Sequence, residues 1–546
     1  MRRLLAVILT LCLLATAFCG CGGSETVEMT ESTIVIGGSN SSTDSSADGS
    51  NTQEGTSTIT STTTSTVTNS NTQGSDNKNN NTQGNNTQNN NSQSNNTQSN
   101  NNTQNNNTQS SNSQDNNDKD APKYDLKGAT ITIVQETDLF ATGKGSTQSS
   151  KASYEGLQKI QKDLNCKISV KKVTGEQIKS DLLKNQLAGT KYADIVALRT
   201  YQISGLMGSA LTDLNTVKSM DLKKDYMNFA KVLDTTKISG KNYILMTPNS
   251  AFASGKGVFF NKSILKEIGY EENYIYNLAD SGKWTISAMR EMAKKAVLDK
   301  DGKTGLSEKD RFGIIVNDWV AAGGESMLAA SHVDMLTVEN GAVKLNTDSE
   351  AFANAVNLAR DVYVKDGTCY GASSGDENLI NMFKTGHGLF MLLAGSYANQ
   401  IATMDTDFGF VPFPTVDGKY ETPINWNFTS IAIPSGLSET ETYNAGALLQ
   451  AFCYLEKNVV ETKYQEFGIR YFRDDESLKF LKISNESQKL PMASVLATTS
   501  YHAAHQATYT VLYQCIPDTE KSITSLVSAN KDAAQKQLDE IVAKFK

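Results

Sequence analysis

From Gly22 to Asp120 the chain contains no Phe, Tyr or Trp, and most positions are Asn, Gln, Ser, Thr or Gly. A stretch with so little apolar surface cannot offset the conformational entropy lost on ordering it, so it is expected to be disordered. Of the 546 residues, only those from about Tyr124 onward can build a core. Charge divides in the same way. The tract holds ten acidic residues against two lysines, which matches the formal net charge of −8 for the whole chain. The remainder is therefore close to neutral, which argues against an electrostatic nucleic-acid binder. After residue 20 no run of about 18 apolar residues occurs, which excludes a polytopic membrane protein.

The first twenty residues combine Arg2 and Arg3 with an apolar run from Leu4 to Phe18 and then small residues, the pattern of an export signal. The segment Phe18-Cys19-Gly20-Cys21 resembles the lipobox of bacterial lipoproteins, with Gly20 as the small residue before a lipidated Cys21. Phe18 and Cys19 depart from the usual Leu and Ala or Ser, and a plain secretory signal is the alternative. Residues 21–120 then read as a lipid-anchored tether. Random-coil scaling of about 5–6 Å times the square root of the length gives it roughly 55 Å of reach. Its Asn-x-Ser/Thr triplets read as polar spacer rather than glycosylation sites.

From Tyr124 the sequence alternates short β-branched runs with longer helical patterns, as α/β layering requires. Ala129 to Val134 predicts a buried strand, Tyr154 to Asn165 a helix, Lys167 to Val173 a strand, Gly175 to Ala188 a helix, and Asp194 to Leu198 a buried strand. Further on, Gly257 to Asn261 and Phe312 to Val316 read as strands flanking a helix over Ser287 to Leu298. About 420 residues of this pattern exceed one convenient core and predict two lobes.

An ordered set of short motifs carries a resemblance. Leu187-Ala188-Gly189 precedes Tyr192-Ala193-Asp194-Ile195-Val196, and Ser239-Gly240-Lys241-Asn242-Tyr243 precedes Pro248. Phe259-Phe260-Asn261-Lys262 is followed by Gly282-Lys283-Trp284-Thr285, then Met382-Phe383-Lys384-Thr385-Gly386-His387-Gly388, and Phe410-Val411-Pro412-Phe413-Pro414 precedes Ile431-Ala432-Ile433-Pro434. In order and spacing these resemble the extracellular solute-binding proteins of ABC importers, the group that includes maltose-binding protein. The resemblance covers nearly all of the chain from Tyr124. It implies a two-lobed periplasmic-binding-protein-like fold of class II, with hinged lobes that close on a solute and present it to permease subunits. It places the N-lobe at about 124–252 and 412–475 and the C-lobe at about 253–411 and 476–546. Crossings are expected near Asn249 to Gly257, Asp407 to Pro414 and Phe467 to Asp475.

A sugar clamp needs aromatic faces for C–H surfaces and polar groups to replace the water that hydroxyls lose. The resemblance puts Trp319, Asn317 and Tyr397 at the cleft, and Trp284 in packing. Trp426, before a strand near the hinge, is a further aromatic candidate. Loops after strands, the usual ligand edge of α/β sheets, nominate Glu136 and Asp138 after the first strand, and Arg199 and Tyr201 after the third. For all of these the alternative is core packing or a solvated loop.

Asp299 to Gly313 resembles a calcium loop, with oxygens at Asp299, Asp301, Ser307 and Asp310, but Lys303 and Thr304 stand where an acid and a glycine are wanted, which favours a metal-free turn. His502 and His505 lack the glutamate of a zinc hydrolase motif, and no nucleophile elbow, Walker loop or dinucleotide fingerprint occurs. Cys166, Cys369, Cys453 and Cys515 are too widely spaced to read as a disulfide framework. The expected function is non-enzymatic, cofactor-free capture of a carbohydrate, most simply an oligosaccharide, by a monomer held to the outer face of the cell membrane through its lipid alone. The rival reading is a surface-anchored polysaccharide-adhesion protein or glycan-acting enzyme.

Overall fold

The computed structural model describes residues 121–317, 321–372, 376–424 and 426–545. The export signal, Cys21, the Asn/Gln-rich tract and Trp319 lie outside them. Among the described residues there are thirteen strands, and most of them enter two sheets. In the first part, β1 (Ala129–Gln135), β2 (Cys166–Lys172) and β3 (Ile195–Arg199) alternate with α1 (Gln148–Asp163) and α2 (Gly175–Leu187). Next come β4 (Lys256–Asn261), α3 (Ile286–Ala296), β5 (Phe312–Asn317) and the hairpin of β6 (Leu336–Glu339) and β7 (Ala342–Leu345). Then follow β8 (Cys369–Ala372), α4 (Asp376–Lys384), β9 (Gly388–Ala394), β10 (Phe408–Pro412), β11 (Thr422–Pro423) and β12 (Thr429–Ala432). The last part holds α5 (Glu439–Arg470), α6 (Asp475–Glu486), β13 (Gln488–Lys489) and α7 (Ile523–Ala543).

The N-lobe sheet has the order β12-β3-β1-β2, with β1 parallel to both neighbours and β12 antiparallel to β3. Its edge strand β2 carries Lys167, Lys171 and Lys172, charges that discourage edge-to-edge pairing with another chain. The C-lobe sheet has the order β10-β4-β9-β5-β8, in which β5 runs parallel to β8 and β9 while β4 is antiparallel to β9 and β10. Its side chains alternate with the period of two that a strand imposes. Phe259, Ile315, Met391 and Phe410 face a cluster with Leu379 and Phe383 of α4, whereas Phe260, Ile314, Phe390 and Leu392 join the larger core with Met289 and Met292 of α3. Two glycines make the β4–β10 pair possible. A Cβ on Gly257 would lie 2.3 Å from the Phe410 ring, and one on Gly409 would lie 2.2 Å from the Phe260 ring.

Helix starts follow local rules. Thr147 caps α1 with a reciprocal bond to Ser150, Ser438 and Glu441 form a capping box on α5, and Thr285 caps α3. Trp284, just before that cap, is fully buried and donates its indole N–H to the Pro412 carbonyl at 2.9 Å.

Two crossings differ from expectation. Phe408 to Pro412 pairs with Asn261 to Gly257 inside the C-lobe sheet, so the second passage runs over residues 413–428 rather than 407–414. Pro412 is tolerated there because β10 is an edge strand, where a missing N–H breaks no ladder bond. The third passage is not at 467–475. It lies within the unbroken α5, whose body packs on α1 while Tyr464 near its end, and Phe472 just beyond it, enter the cluster under the C-lobe sheet.

The chain from the end of α6 to β13 ties the first two passages together. Ala253 N–H donates to Asn485 Oδ1 at 3.0 Å, Gln488 Nε2 to the Ala251 carbonyl at 3.2 Å, and Thr422 N–H to the Ser487 carbonyl at 2.9 Å. Inside α5, Glu456 is fully buried, and neither carboxyl oxygen makes a well-formed hydrogen bond. Its surroundings include Thr247 and Asn249 of the first passage, and the Lys463 ammonium, which itself bonds Asn249 and lies over the Phe252 ring.

Candidate functional site

Strand direction fixes where the site can form. Asn317 ends β5 in register with Ala372 at the end of β8, and Ala394 at the end of β9 pairs with Lys256, where β4 begins. The same edge of the C-lobe sheet therefore receives the first passage and releases the second after Pro412. In the N-lobe, Arg199 at the end of β3 pairs with Thr429 at the start of β12, so the second passage arrives at that sheet's carboxyl edge too. The chain joins one carboxyl edge directly to the other, and ligands of open α/β sheets bind at such edges.

Four of the expected N-lobe residues meet. Glu136 Oε2 accepts the backbone N–H of Arg199 at 3.3 Å and stands 3.7 Å from its Nε. The Arg199 guanidinium also donates to the Asn427 carbonyl. Tyr201 donates its backbone N–H to the Trp426 carbonyl at 3.2 Å, and the two rings meet edge to face with centroids 5.4 Å apart. Burial, and after it the charge of Glu136, raises the Tyr201 phenol above its ordinary pKa, so the hydroxyl keeps its proton. Asp138 stands apart. Gln135 bonds both backbone groups of Phe140, at 2.8 and 3.0 Å, and the Phe140 ring stacks on Phe452 with centroids 4.1 Å apart. That staple pulls the loop inward at Phe140 and leaves Asp138 exposed, in an ion pair with Lys172 at 2.6 Å.

On the C-lobe edge, Asn317 and Tyr397 converge on Asp376, the first residue of α4. Asn317 Nδ2 donates to Asp376 Oδ1, and the Tyr397 hydroxyl donates to Asp376 Oδ2. Partial burial, then the bond to Asp376, raises the Tyr397 phenol to about 12. Asp376 was not among the residues expected from sequence. It obeys the rule that nominated Glu136, a carboxylate just past a strand, but β8 is four residues long and contains Gly371, too weak a pattern to announce a strand. Thr137 and Thr429, whose hydroxyls lie 2.9 Å apart beside Glu136 and Arg199, were missed likewise.

The Asp-rich turn has another use for its oxygens. Asp310 is fully buried, and its carboxylate accepts backbone N–H groups of Lys300 (2.7 Å), Asp301 (3.2 Å) and Ser307 (2.6 Å). Asp299 accepts from Gly302, Asp301 accepts from the Ser307 hydroxyl, and the Lys303 ammonium stands 3.3 Å from Asp301. These bonds depress the Asp310 pKa. Although the three carboxylates come within 4.8 Å, the set is spent on closing the turn and carries a lysine where calcium needs an acceptor. It does not fit the metal. Cys166, Cys369, Cys453 and Cys515 are all free thiols.

Among solved structures of similar fold is the cyclic alpha-maltosyl-1,6-maltose binding protein from Arthrobacter globiformis, 16% identical over 76% of this chain and 100% of that one, with a TM-score of 0.53. The sugar-binding protein MalE from Xanthomonas citri is 14% identical over 75% of this chain and 98% of that one, at a TM-score of 0.52. UspC from M. tuberculosis is 12% identical over 75% of this chain and 100% of that one, at 0.54. No curated protein matches the sequence. These likenesses establish the two-lobed periplasmic-binding-protein-like fold. The profile of the family described as bacterial extracellular solute-binding protein matches residues 145–451, more than half of the chain. With the fold, the paired carboxyl edges and this match together, the chain belongs to the bacterial extracellular solute-binding protein family.

Proposed function

We propose that this protein captures a carbohydrate between the carboxyl edges of its two sheets and delivers it to the permease of an ABC importer, without catalysis. The observation that carries the reading is the composition of those edges. Tyr201, Trp426 and Tyr397 offer ring faces for C–H patches, while Glu136, Arg199, Asn317 and Asp376 offer the polar groups that hydroxyls require. Two proteins of the same fold are described as binding cyclic alpha-maltosyl-1,6-maltose and as sugar-binding, which supports the class of ligand. Trp319, two residues past the end of β5, remains a candidate by its place in the sequence. Lobe closure on the ligand would shift the equilibrium toward the form the permease accepts. Residues 21–120 would tether the folded part to the membrane through a lipidated Cys21.

A thermal-shift screen against glycans tests the binding. A ligand at 100 times its Kd should add about 2.7 kcal/mol of stability, and a panel of neutral and acidic oligosaccharides that leaves the melting temperature unmoved would refute the carbohydrate reading. Cys21→Ala tests the anchor: the folded part should leave the membrane fraction, and attachment that still required detergent would reject lipidation.

A further inference from the structure

Asp376 takes up protons that would otherwise face a ligand. One carboxylate oxygen holds the Tyr397 phenol proton and the other holds one amide proton of Asn317. A tyrosine hydroxyl has a single proton to give, and an asparagine amide has two donors and one acceptor oxygen. With those protons committed, this edge can offer a ligand the lone pairs of Tyr397 Oη, the Oδ1 of Asn317 and one remaining amide N–H. The three side chains arrive from the ends of β5, β8 and β9, and both bonds run from neutral donors to a carboxylate, the stronger kind of hydrogen bond.

We propose that Asp376 is the positioning residue of the C-lobe half-site, fixing Tyr397 and Asn317 so that this edge presents acceptor oxygens suited to uncharged saccharide hydroxyls and unsuited to acidic saccharides. The inference rests on the carbohydrate reading above and deepens it. A hydroxyl donates to such an array, whereas a uronate or phosphate brings further acceptors and a negative charge toward a carboxylate. A residue that only started α4 would have no hold on the phenol. That difference gives the proposal a readout independent of any sugar.

The test uses the full chain with ¹³Cζ-labelled tyrosine, the Tyr397 signal being assigned by its loss in Tyr397→Phe. In the wild type, Tyr397 should ionise near pH 12. In Asp376→Asn it should ionise at a lower pH, closer to a free tyrosine, and Asp376→Glu should recover part of the shift. Calorimetry then compares maltotetraose, the ligand in one structure of this fold, with a counterpart of the same length carrying one uronate. Asp376→Asn should weaken the neutral sugar about tenfold, the scale of one charge-assisted hydrogen bond, and should narrow its preference over the acidic one. A Tyr397 titration unmoved by Asp376→Asn overturns the positioning role. An unchanged neutral-to-acidic preference overturns the selectivity. If neither the wild type nor any variant binds a saccharide, the carbohydrate reading and the selectivity built on it fall, while the Tyr397 titration still decides whether Asp376 positions that ring.

Discussion

On the N-lobe edge, Arg199 is held through main-chain groups, its own N–H on Glu136 and its guanidinium on the Asn427 carbonyl, and Tyr201 is tied to Trp426 through a backbone bond. On the C-lobe edge, Asp376, Asn317 and Tyr397 touch through side chains only. The first arrangement is set by the register of β3 against β12, which brings together residues more than two hundred positions apart. It is as rigid as that pairing. The second depends on three strand ends supported from beneath by the packing of the C-lobe sheet, and any one of its side chains can be replaced without disturbing a ladder. Affinity and stability should therefore be coupled on the N-lobe edge and separable on the C-lobe edge.

The largest effect should come from the support under the C-lobe edge. Trp284→Ala removes a fully buried indole and its bond to Pro412 where the second passage leaves the sheet, and should destabilise the fold by about 3–5 kcal/mol. Denaturant unfolding measures it. A loss under about 1 kcal/mol would mean that this edge does not depend on the packing below it.

Next comes the helix that passes between the lobes. Burial keeps the Glu456 carboxyl protonated up to about pH 8, against 4.5 for an ordinary glutamate, while burial lowers Lys463 from 10.5. The folded state thus binds the Glu456 proton more tightly than the unfolded chain. The stability linked to it is complete below about pH 4.5 and is lost as the pH rises through 8. Melting temperatures from pH 5 to 8 should fall more steeply for the wild type than for Glu456→Gln, which has no carboxyl to titrate. Parallel curves would show that Glu456 is ionised in the fold.

The contrast between the edges is tested by two aromatic substitutions. Tyr397→Ala should weaken ligand binding by about 1–3 kcal/mol, the scale of one large buried side chain, with little change in melting temperature. Trp426→Ala should cost comparable affinity and also about 0.5–1.5 kcal/mol of stability through its edge-to-face contact with Tyr201. Calorimetry and thermal melts on the pair decide, and equal stability losses would dissolve the distinction. The smallest effect belongs to Glu136→Gln. Its pair with Arg199 is partly solvated, so stability should change by less than about 1 kcal/mol; a larger loss by denaturant unfolding would show that the carboxylate charge, rather than the backbone bond, holds Arg199.

What the sequence by itself determined follows from properties that residues carry locally. The absence of aromatics between Gly22 and Asp120 marks where a core cannot begin, because a segment with so little apolar surface has nothing to bury whatever its partners. Runs such as Ala129 to Val134 and Gly257 to Asn261 announced strands through their own composition, and the rule that ligands meet strand ends nominated Glu136, Arg199 and Tyr201, which the fold brings together with Trp426. Tertiary structure decided the rest. Asp138 and Glu136 looked equivalent until Gln135 stapled Phe140 inward and turned Asp138 to Lys172. Asp407 to Pro414 read as a crossing until pairing with β4 placed Phe408 to Pro412 inside the C-lobe sheet. Asp376 had no strand signal before it, and acquired a role only where the ends of β5, β8 and β9 came into register. Local composition fixes which segments can order; which side chains share a carboxylate depends on contacts between segments distant in sequence, and those exist only after the sheets have formed.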